Sequence, residues 1–306
     1  MIGLPMISVI VCTLDREILL KKTMSSLLEQ SLSPNQYEII VVDNAFNGAM
    51  KEVVVEFQKR SDRIQYFHEP LQGHSRAKNA ALKIATGTYV AFIDDDAVAN
   101  PFWLENILKT FKLNPLAAVV GGKIDPIWQT SRPAWLSDDL LKYLSILDYG
   151  DQEKTLGKQK LFGANIAFRK DLLQQAGGFS LRLGRQANNN FLSGEEAWVQ
   201  ERLQRQGHGI VYDPHIQIGH CILRQRLSKD WFENRARWEG YSTAMIDSEL
   251  ARPQKVRLLF SQVFSFISRP VQLFSLLFNL KADAIFPQRI EAKIKISHIK
   301  NLLKMW

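Results

Sequence analysis

Four short runs of apolar residues open the chain: ISVIVC at 7–12, YEIIVV at 37–42, IQYF at 64–67 and YVAFI at 89–93. Each has the length of a strand, and none shows the strict alternation of a sheet with one wet face. Between them lie REILLKKTMSSLLEQ, MKEVVVEFQKR and SRAKNAALKIATG, whose spacing predicts helices, the last one stopped by Gly87. Strands apolar throughout and separated by helices predict an α/β fold with a mostly parallel sheet covered on both faces. Ligands of such sheets sit beyond the carboxyl ends of the strands. Thr13, Asp43, Asp94, Asp95 and Asp96 all fall there.

Near Ala117 the pattern changes. AAVVGG predicts a further strand, and Trp128, Trp135, Tyr143 and Tyr149 follow among prolines and acids. LFGANIAFRKDLLQQAGGFS predicts a strand, a helix and a glycine stop. LSGEEAWVQERLQRQGHGIVYDP sets Glu195 and Glu196 ahead of a helix, and IQIGH ends a strand at His220. These shifts predict three segments, 1–116, 117–222 and 223–306, with no internal repeat.

At 306 residues and 46% apolar, the chain has the bulk for a substantial core. Cys12 and Cys221 alone imply no disulfide framework, so a reducing, cytoplasmic setting is expected. MIGLPMISVIVCT lacks a basic leader and a cleavage site, and is expected to enter the fold directly. The formal charge is +8, yet +7 of it comes from Lys255, Arg257, Arg269, Lys281, Arg289, Lys293, Lys295, Lys300 and Lys304 set against Asp283 and Glu291. The preceding residues are close to neutral, which argues against nucleic acid as a partner. The basic segment also carries LLFSQVFSFI and VQLFSLLFNL, each too short to span a bilayer. Together these predict an amphipathic helical extension lying on an anionic membrane surface, or packing on the rest of the chain or on a second subunit.

Three consecutive carboxylates at the end of YVAFI need a physical reason. Two of them about 4 Å apart repel by roughly 1 kcal/mol in bulk water and about 4 kcal/mol near a protein surface. Helix capping does not supply the reason, because Asn100 before Pro101 already caps PFWLENILKTF. A bound cation does: hard oxygen ligands in a row suit Mg²⁺ or Mn²⁺ shared with a phosphate. No G-x-G-x-x-G follows the first strand and no G-x-x-x-x-G-K-[ST] occurs, which argues against a dinucleotide oxidoreductase and a P-loop ATPase. His220 next to Cys221 has no C-x-x-C or H-E-x-x-H, so zinc is not expected.

ISVIVCTLDRE, EIIVVDNAFN, SRAKNAALKIATGTYVAFIDDDAV, GANIAFRKDLLQQAGGF and GEEAWVQERLQRQGHGIVYDPHIQIGH occur in the order and spacing of the family 2 glycosyltransferases, and the chain resembles that family from about residue 5 to about residue 220. The resemblance implies the GT-A fold, a Rossmann-like sheet flanked by helices, with 1–116 as the nucleotide-sugar half and 117–222 as the half carrying acceptor and base. It implies that Asp43 contacts the uracil or ribose side of the donor, with Thr13 and Arg16 close to the base. The family pattern assigns the ribose to Asp94 and the divalent cation to Asp96, and Asp95 shares either task; Asp94 and His220 are further candidates to hold the metal or diphosphate. The family's usual Glu-Asp is Glu195-Glu196 here, and its second acid is the general base. That points to Glu196, with Glu195 as the alternative. The base takes a proton from an acceptor hydroxyl as it attacks opposite the leaving diphosphate, which inverts the anomeric centre. PAWLSDDL, LGR, SGEE and RLSKDWFENRARWEGYSTA also resemble a bacterial branch that assembles surface polysaccharide.

The expected function is therefore metal-dependent, inverting hexosyl transfer from a UDP-sugar to a saccharide or lipid-linked acceptor at the inner face of the plasma membrane. The rivals are a sugar-phosphate nucleotidyltransferase, for which CTLDRE lacks the Gly-rich basic signature, and a non-catalytic saccharide-binding scaffold of the same fold. Lys78 and Arg76 either approach phosphate or form a solvated helix face. Trp128, Trp135 and Trp198 either stack on sugars or pack in a core. His208 and His215 read as surface or turn residues.

Overall fold

The computed structural model describes residues 6–187, 191–249, 252–267 and 282–305. In chain order the elements are β1 (Ile7–Thr13), α1 (Glu17–Leu28), β2 (Tyr37–Asp43), α2 (Lys51–Gln58), β3 (Ile64–His68), α3 (His74–Ile84), β4 (Tyr89–Asp94), β5 (Ala97–Ala99), α4 (Trp103–Leu113) and β6 (Ala117–Trp128). There follow α5 (Asp138–Leu141), β7 (Lys154–Thr155), β8 (Asn165–Arg169), α6 (Lys170–Gln175), α7 (Glu195–Arg205), β9 (Gly209–Ile222), α8 (Lys229–Asp247), α9 (Arg252–Ile267) and α10 (Phe286–Lys304).

Nine strands form one sheet among the described residues, in the order β3-β2-β1-β4-β8-β6-β9-β5, with β7 on β9. β3, β2, β1 and β4 are parallel, as their apolar runs predict, and every residue of β2 is buried. From β4 onward the pairing turns antiparallel, β4 to β8, β8 to β6 and β9 to β5. Each parallel connection carries a helix, because two parallel neighbours cannot be joined by a tight turn. Phe92, Phe168 and Phe179 meet edge to face in the core, with ring centroids 5.1 to 5.9 Å apart. Asn100 Oδ1 accepts from Phe102 N at 3.0 Å, and α4 begins at Trp103, two residues after the proline.

Contacts divide the chain into two compact units, Met1–Ile127 with Ser145–Leu181 and Glu195–Cys221, and Trp128–Leu144 with Arg182–Gly194 and Ile222–Trp306. The sheet belongs to the first. In the second, α8 packs along α10: Glu233 accepts from Arg289 Nε at 2.7 Å and from Lys293, and His298 Nε2 lies 2.9 Å from Asp247 Oδ2. Trp135 is half-buried and packs edge to face on the buried Phe232 and Phe286, at 5.4 and 5.3 Å, within that unit. LLFSQVFSFI lies in α9. VQLFSLLFNL lies outside the described residues. No helix among those described is long and apolar enough to cross a membrane.

Candidate active site

Parallel pairing sets Cys12 opposite Asp94, which brings the turns after β1 and β4 side by side. There Thr13 Oγ1 donates to Asp95 Oδ2 at 2.8 Å. Arg16, just ahead of α1, places Nη1 2.7 Å from Asp96 Oδ2 and 3.1 Å from Asp95 Oδ1. The pairing of β5 with β9 sets Ala97 opposite His220, and Cys221 N donates to Asp96 O at 2.8 Å. This register delivers His220 from far along the chain, its Nε2 3.1 Å from Asp96 Oδ1. Thr13, Arg16, Asp95, Asp96 and His220 thus share one hydrogen-bonded cluster.

Asp94 completes it with a half-buried carboxylate that has no side-chain hydrogen bond among the described residues. Burial pushes Asp95 up to about 6; Arg16 opposes the rise, and the charges of Asp96 and Asp94 add to it. One ligand atom each from Asp94, Asp96 and His220 lies within 4.8 Å of the others. Two carboxylate oxygens and an imidazole nitrogen are a donor set that suits Mn²⁺. The residues present therefore fit a divalent cation. Arg16 already supplies positive charge to the two buried members of the triplet.

Asp43 ends β2 and is fully buried. Its carboxylate accepts from Ala45 N at 3.0 Å, Met50 N at 2.8 Å and the Tyr66 hydroxyl at 3.1 Å, which closes the loop of residues 44–50. Burial beside that carboxylate pushes Tyr66 up to about 12, so its hydroxyl keeps its proton and donates. Three of the carboxylate's roughly four acceptor sites are occupied. Asn44 performs the matching task for the next loop, bonding Glu69 O, Leu71 O and Gly73 N at 2.7 to 3.1 Å.

The second acidic pair opens α7. Glu195 Oε1 accepts from Lys78 Nζ at 3.2 Å and faces His74 Nδ1 at 2.9 Å, while Glu196 Oε1 accepts from the same Lys78 ammonium. His74 and Lys78 sit one helical turn apart on α3, which aims both at the pair. Lys78 is only 2% exposed and is not on a solvated face; its ammonium lies 5.2 Å from the Phe179 ring centroid and 5.9 Å from that of Phe92. The carboxylates outweigh burial and hold Lys78 above its ordinary value. Burial also pushes on Glu195, but Lys78 and His74 hold it below the usual carboxylate range. Glu196 goes the other way, raised by burial and by Glu195 against the pull of Lys78. His74, Glu195 and Glu196 are close enough to hold a metal, but the Lys78 ammonium already supplies the cation they share.

Gly163 completes this corner. A Cβ there would lie 2.1 Å from Glu196 Oε1, so any side chain at this position requires that carboxylate to move from where it stands. His74 and Gly163 are members of the site that no sequence pattern indicated, and Lys78 was expected either to approach phosphate or to lie on a solvated helix face. The readable signal was Lys78 in line with Ser75, Ala81 and Leu82, a lysine among small and apolar residues on the buried side of α3. Trp198 stacks under the Arg202 guanidinium at 4.6 Å, and His215 is exposed and pairs with Asp213.

The glycosyl transferase family 2 profile matches residues 8–177, more than half of the chain. The chain belongs to glycosyltransferase family 2. It is a nucleotide-sugar glycosyltransferase, and among its relatives is the glucosyl-dolichyl phosphate glucuronosyltransferase of Haloferax volcanii, 28% identical over 79% of this chain and 77% of the relative. The succinoglycan biosynthesis protein ExoM of Rhizobium meliloti is 25% identical over 79% of this chain and 75% of the relative. The solved structure of the mannosyltransferase PcManGT from Pyrobaculum calidifontis, in complex with GDP-Man and Mn²⁺, superposes with a TM-score of 0.64 over 99% of this chain and 88% of that one, at 18% identity. That likeness shows the GT-A fold for this glycosyltransferase.

Proposed function

We propose that this glycosyltransferase moves a hexosyl group, with inversion, from a UDP-sugar to a lipid-linked saccharide during assembly of a surface glycan. Asp94, Asp96 and His220 would hold Mn²⁺ or Mg²⁺, which when bound neutralises the diphosphate. Thr13, Arg16 and Asp95 line the approach to the nucleoside. Asp43 fixes the 44–50 loop against which the base rests. Glu196 takes the proton of the acceptor hydroxyl; the acceptor oxygen bonds to the anomeric carbon as the bond to the diphosphate breaks, and UDP departs. The relatives named for a dolichyl phosphate glycan and for succinoglycan support the acceptor class.

The observation that carries this reading is the placement of the Asp94, Asp96 and His220 cluster and the Glu195 and Glu196 pair within one compact unit of a family 2 chain. Titration calorimetry of UDP and GDP, each with Mn²⁺ and with EDTA, tests it. UDP is expected to bind tightly only with the metal, and equal heats under both conditions would sink the metal-bridged donor site. UDP release from a panel of UDP-sugars, with GDP-mannose as control, then identifies the donor.

A separate observation supports membrane docking. On α9, Phe260 and Phe264 are 74% and 75% exposed, with Val263 between them on the same face and the exposed Arg252 and Arg257 on the same helix. An apolar row flanked by cations is the pattern of a helix lying in a bilayer interface, where each basic residue adds about 1 kcal/mol toward anionic lipid. Flotation with phosphatidylserine vesicles should recover the full chain, and F260S/F264S should stay at the bottom. Equal recovery of both proteins would remove the membrane from the account.

A further inference from the structure

A lysine ammonium that is 2% exposed requires compensation, since an unpaired buried charge costs several kcal/mol. Here one ammonium serves two carboxylates, and it serves them unequally. Glu195 is 4% exposed and has a second partner in His74, at 2.9 Å. Glu196 is 13% exposed, and among the described residues Lys78 is its side-chain partner. Glu195 is held against α3 by two of its side chains, while Glu196 occupies the space that the missing side chain of Gly163 leaves.

We propose that Lys78 is the positioning residue that divides the pair, holding Glu195 as a fixed anion with His74 and presenting Glu196 as the proton acceptor of glycosyl transfer. The assignment rests on the reading of Glu196 as base. Two adjacent carboxylates without a cation between them would share a proton, and whichever kept it would be useless as a base. With Lys78 in place the two acids separate by their partners, Glu195 held by Lys78 and His74 and Glu196 by Lys78. The opposite displacements of Glu195 and Glu196 from the usual carboxylate range agree with this. The groups that face Glu196 are Glu195 on its own helix and His74 and Lys78 on α3; Asp94 acts at longer range through Lys78.

The test is a carbon-13 titration of the full chain labelled at glutamate Cδ, in Mg²⁺, with E195Q and E196Q used to assign the two resonances. K78M should move the Glu196 midpoint upward by about one to three pH units, because an opposite charge in contact has been removed. E195Q should move it downward, because a like charge has gone and Lys78 pairs with Glu196 alone. K78R should restore most of the parent value. In turnover assays K78M should lower kcat and shift its acid limb upward while leaving KM for the donor within about twofold, since a positioned base acts on the chemical step. Midpoints that do not move, or that move in the same direction in K78M and E195Q, would overturn the proposal. Where K78M fails to fold, E195Q decides alone: no shift, or an upward one, sinks it. Parent turnover in E196Q would instead remove the base assignment, a result the titration does not depend on.

Discussion

Two buried acidic groups sit at opposite ends of the same parallel strands, and they are built differently. At the amino end, Ser8 pairs in register with Glu38, and Glu38 accepts from Ser8 Oγ at 2.5 Å, from Thr86 N and Thr86 Oγ1 at 2.7 Å each, and from Gln65 Nε2 at 2.7 Å. Both oxygens of that carboxylate accept from the protein's own neutral donors, three on Oε1 and one on Oε2. At the carboxyl end, about 13–17 Å away along the strands, the Asp94 carboxylate has no side-chain hydrogen bond among the described residues, Asp95 and Asp96 lean on one guanidinium, and Glu195 and Glu196 lean on one ammonium. A buried polar group that is fully satisfied fastens a fold. Groups that crowd like charges around too few cations leave capacity for a ligand and for a proton.

Replacing Glu196 by Gln is the strongest way to separate the two ends. A positioned base contributes about 10²- to 10⁴-fold in rate, so E196Q should lose that much kcat while its thermal unfolding stays at the parent midpoint. A variant with parent turnover would move the base elsewhere. Next in size is Gly163→Ala, where the added Cβ would lie 2.1 Å from Glu196 Oε1. The carboxylate has to shift, and a displacement on the order of 1 Å can cost about 10²-fold in rate. G163A should therefore resemble E196Q in kinetics, at smaller amplitude, with donor affinity by calorimetry unchanged. Loss of donor affinity as well would show that Gly163 serves the nucleotide side.

The parallel half of the sheet was legible because buried parallel strands are apolar at every position, and the Asp triplet was legible because three like charges have no reason to follow such a strand. Asn100 announced α4, although the turn it makes delays the helix to Trp103. The contact of His220 with Asp96 follows from the register of β5 on β9, a pairing of distant segments that no local pattern encodes. Lys78 was illegible for a different reason. Lysine is almost never fully buried unless paired, so a lysine in SRAKNAAL reads as solvated or as reaching for phosphate until its partners on α7 are known. Gly163 carries no pattern at all, since its meaning is the absence of an atom beside a carboxylate on another element.

Glu38→Ala yields the smallest change and the cleanest contrast. Removing that carboxylate leaves Ser8 Oγ, Thr86 N, Thr86 Oγ1 and Gln65 Nε2 without their acceptor. A buried donor left unpaired costs about 1–3 kcal/mol. Gly87 N still donates to Ser8 Oγ at 2.8 Å, and Gln65 is exposed enough to meet water, so the loss should be nearer to one such group than to four. In a domain of this size about 1 kcal/mol lowers the midpoint by roughly 2–4 °C, which differential scanning fluorimetry resolves. Turnover per folded molecule should remain at the parent level, because β1 and β4 are anchored along their whole length by parallel pairing with each other and β1 by β2 as well. Should E38A instead lower kcat at a temperature where it is fully folded, the strands transmit strain from one end to the other, and the division between a fastening end and a reacting end fails.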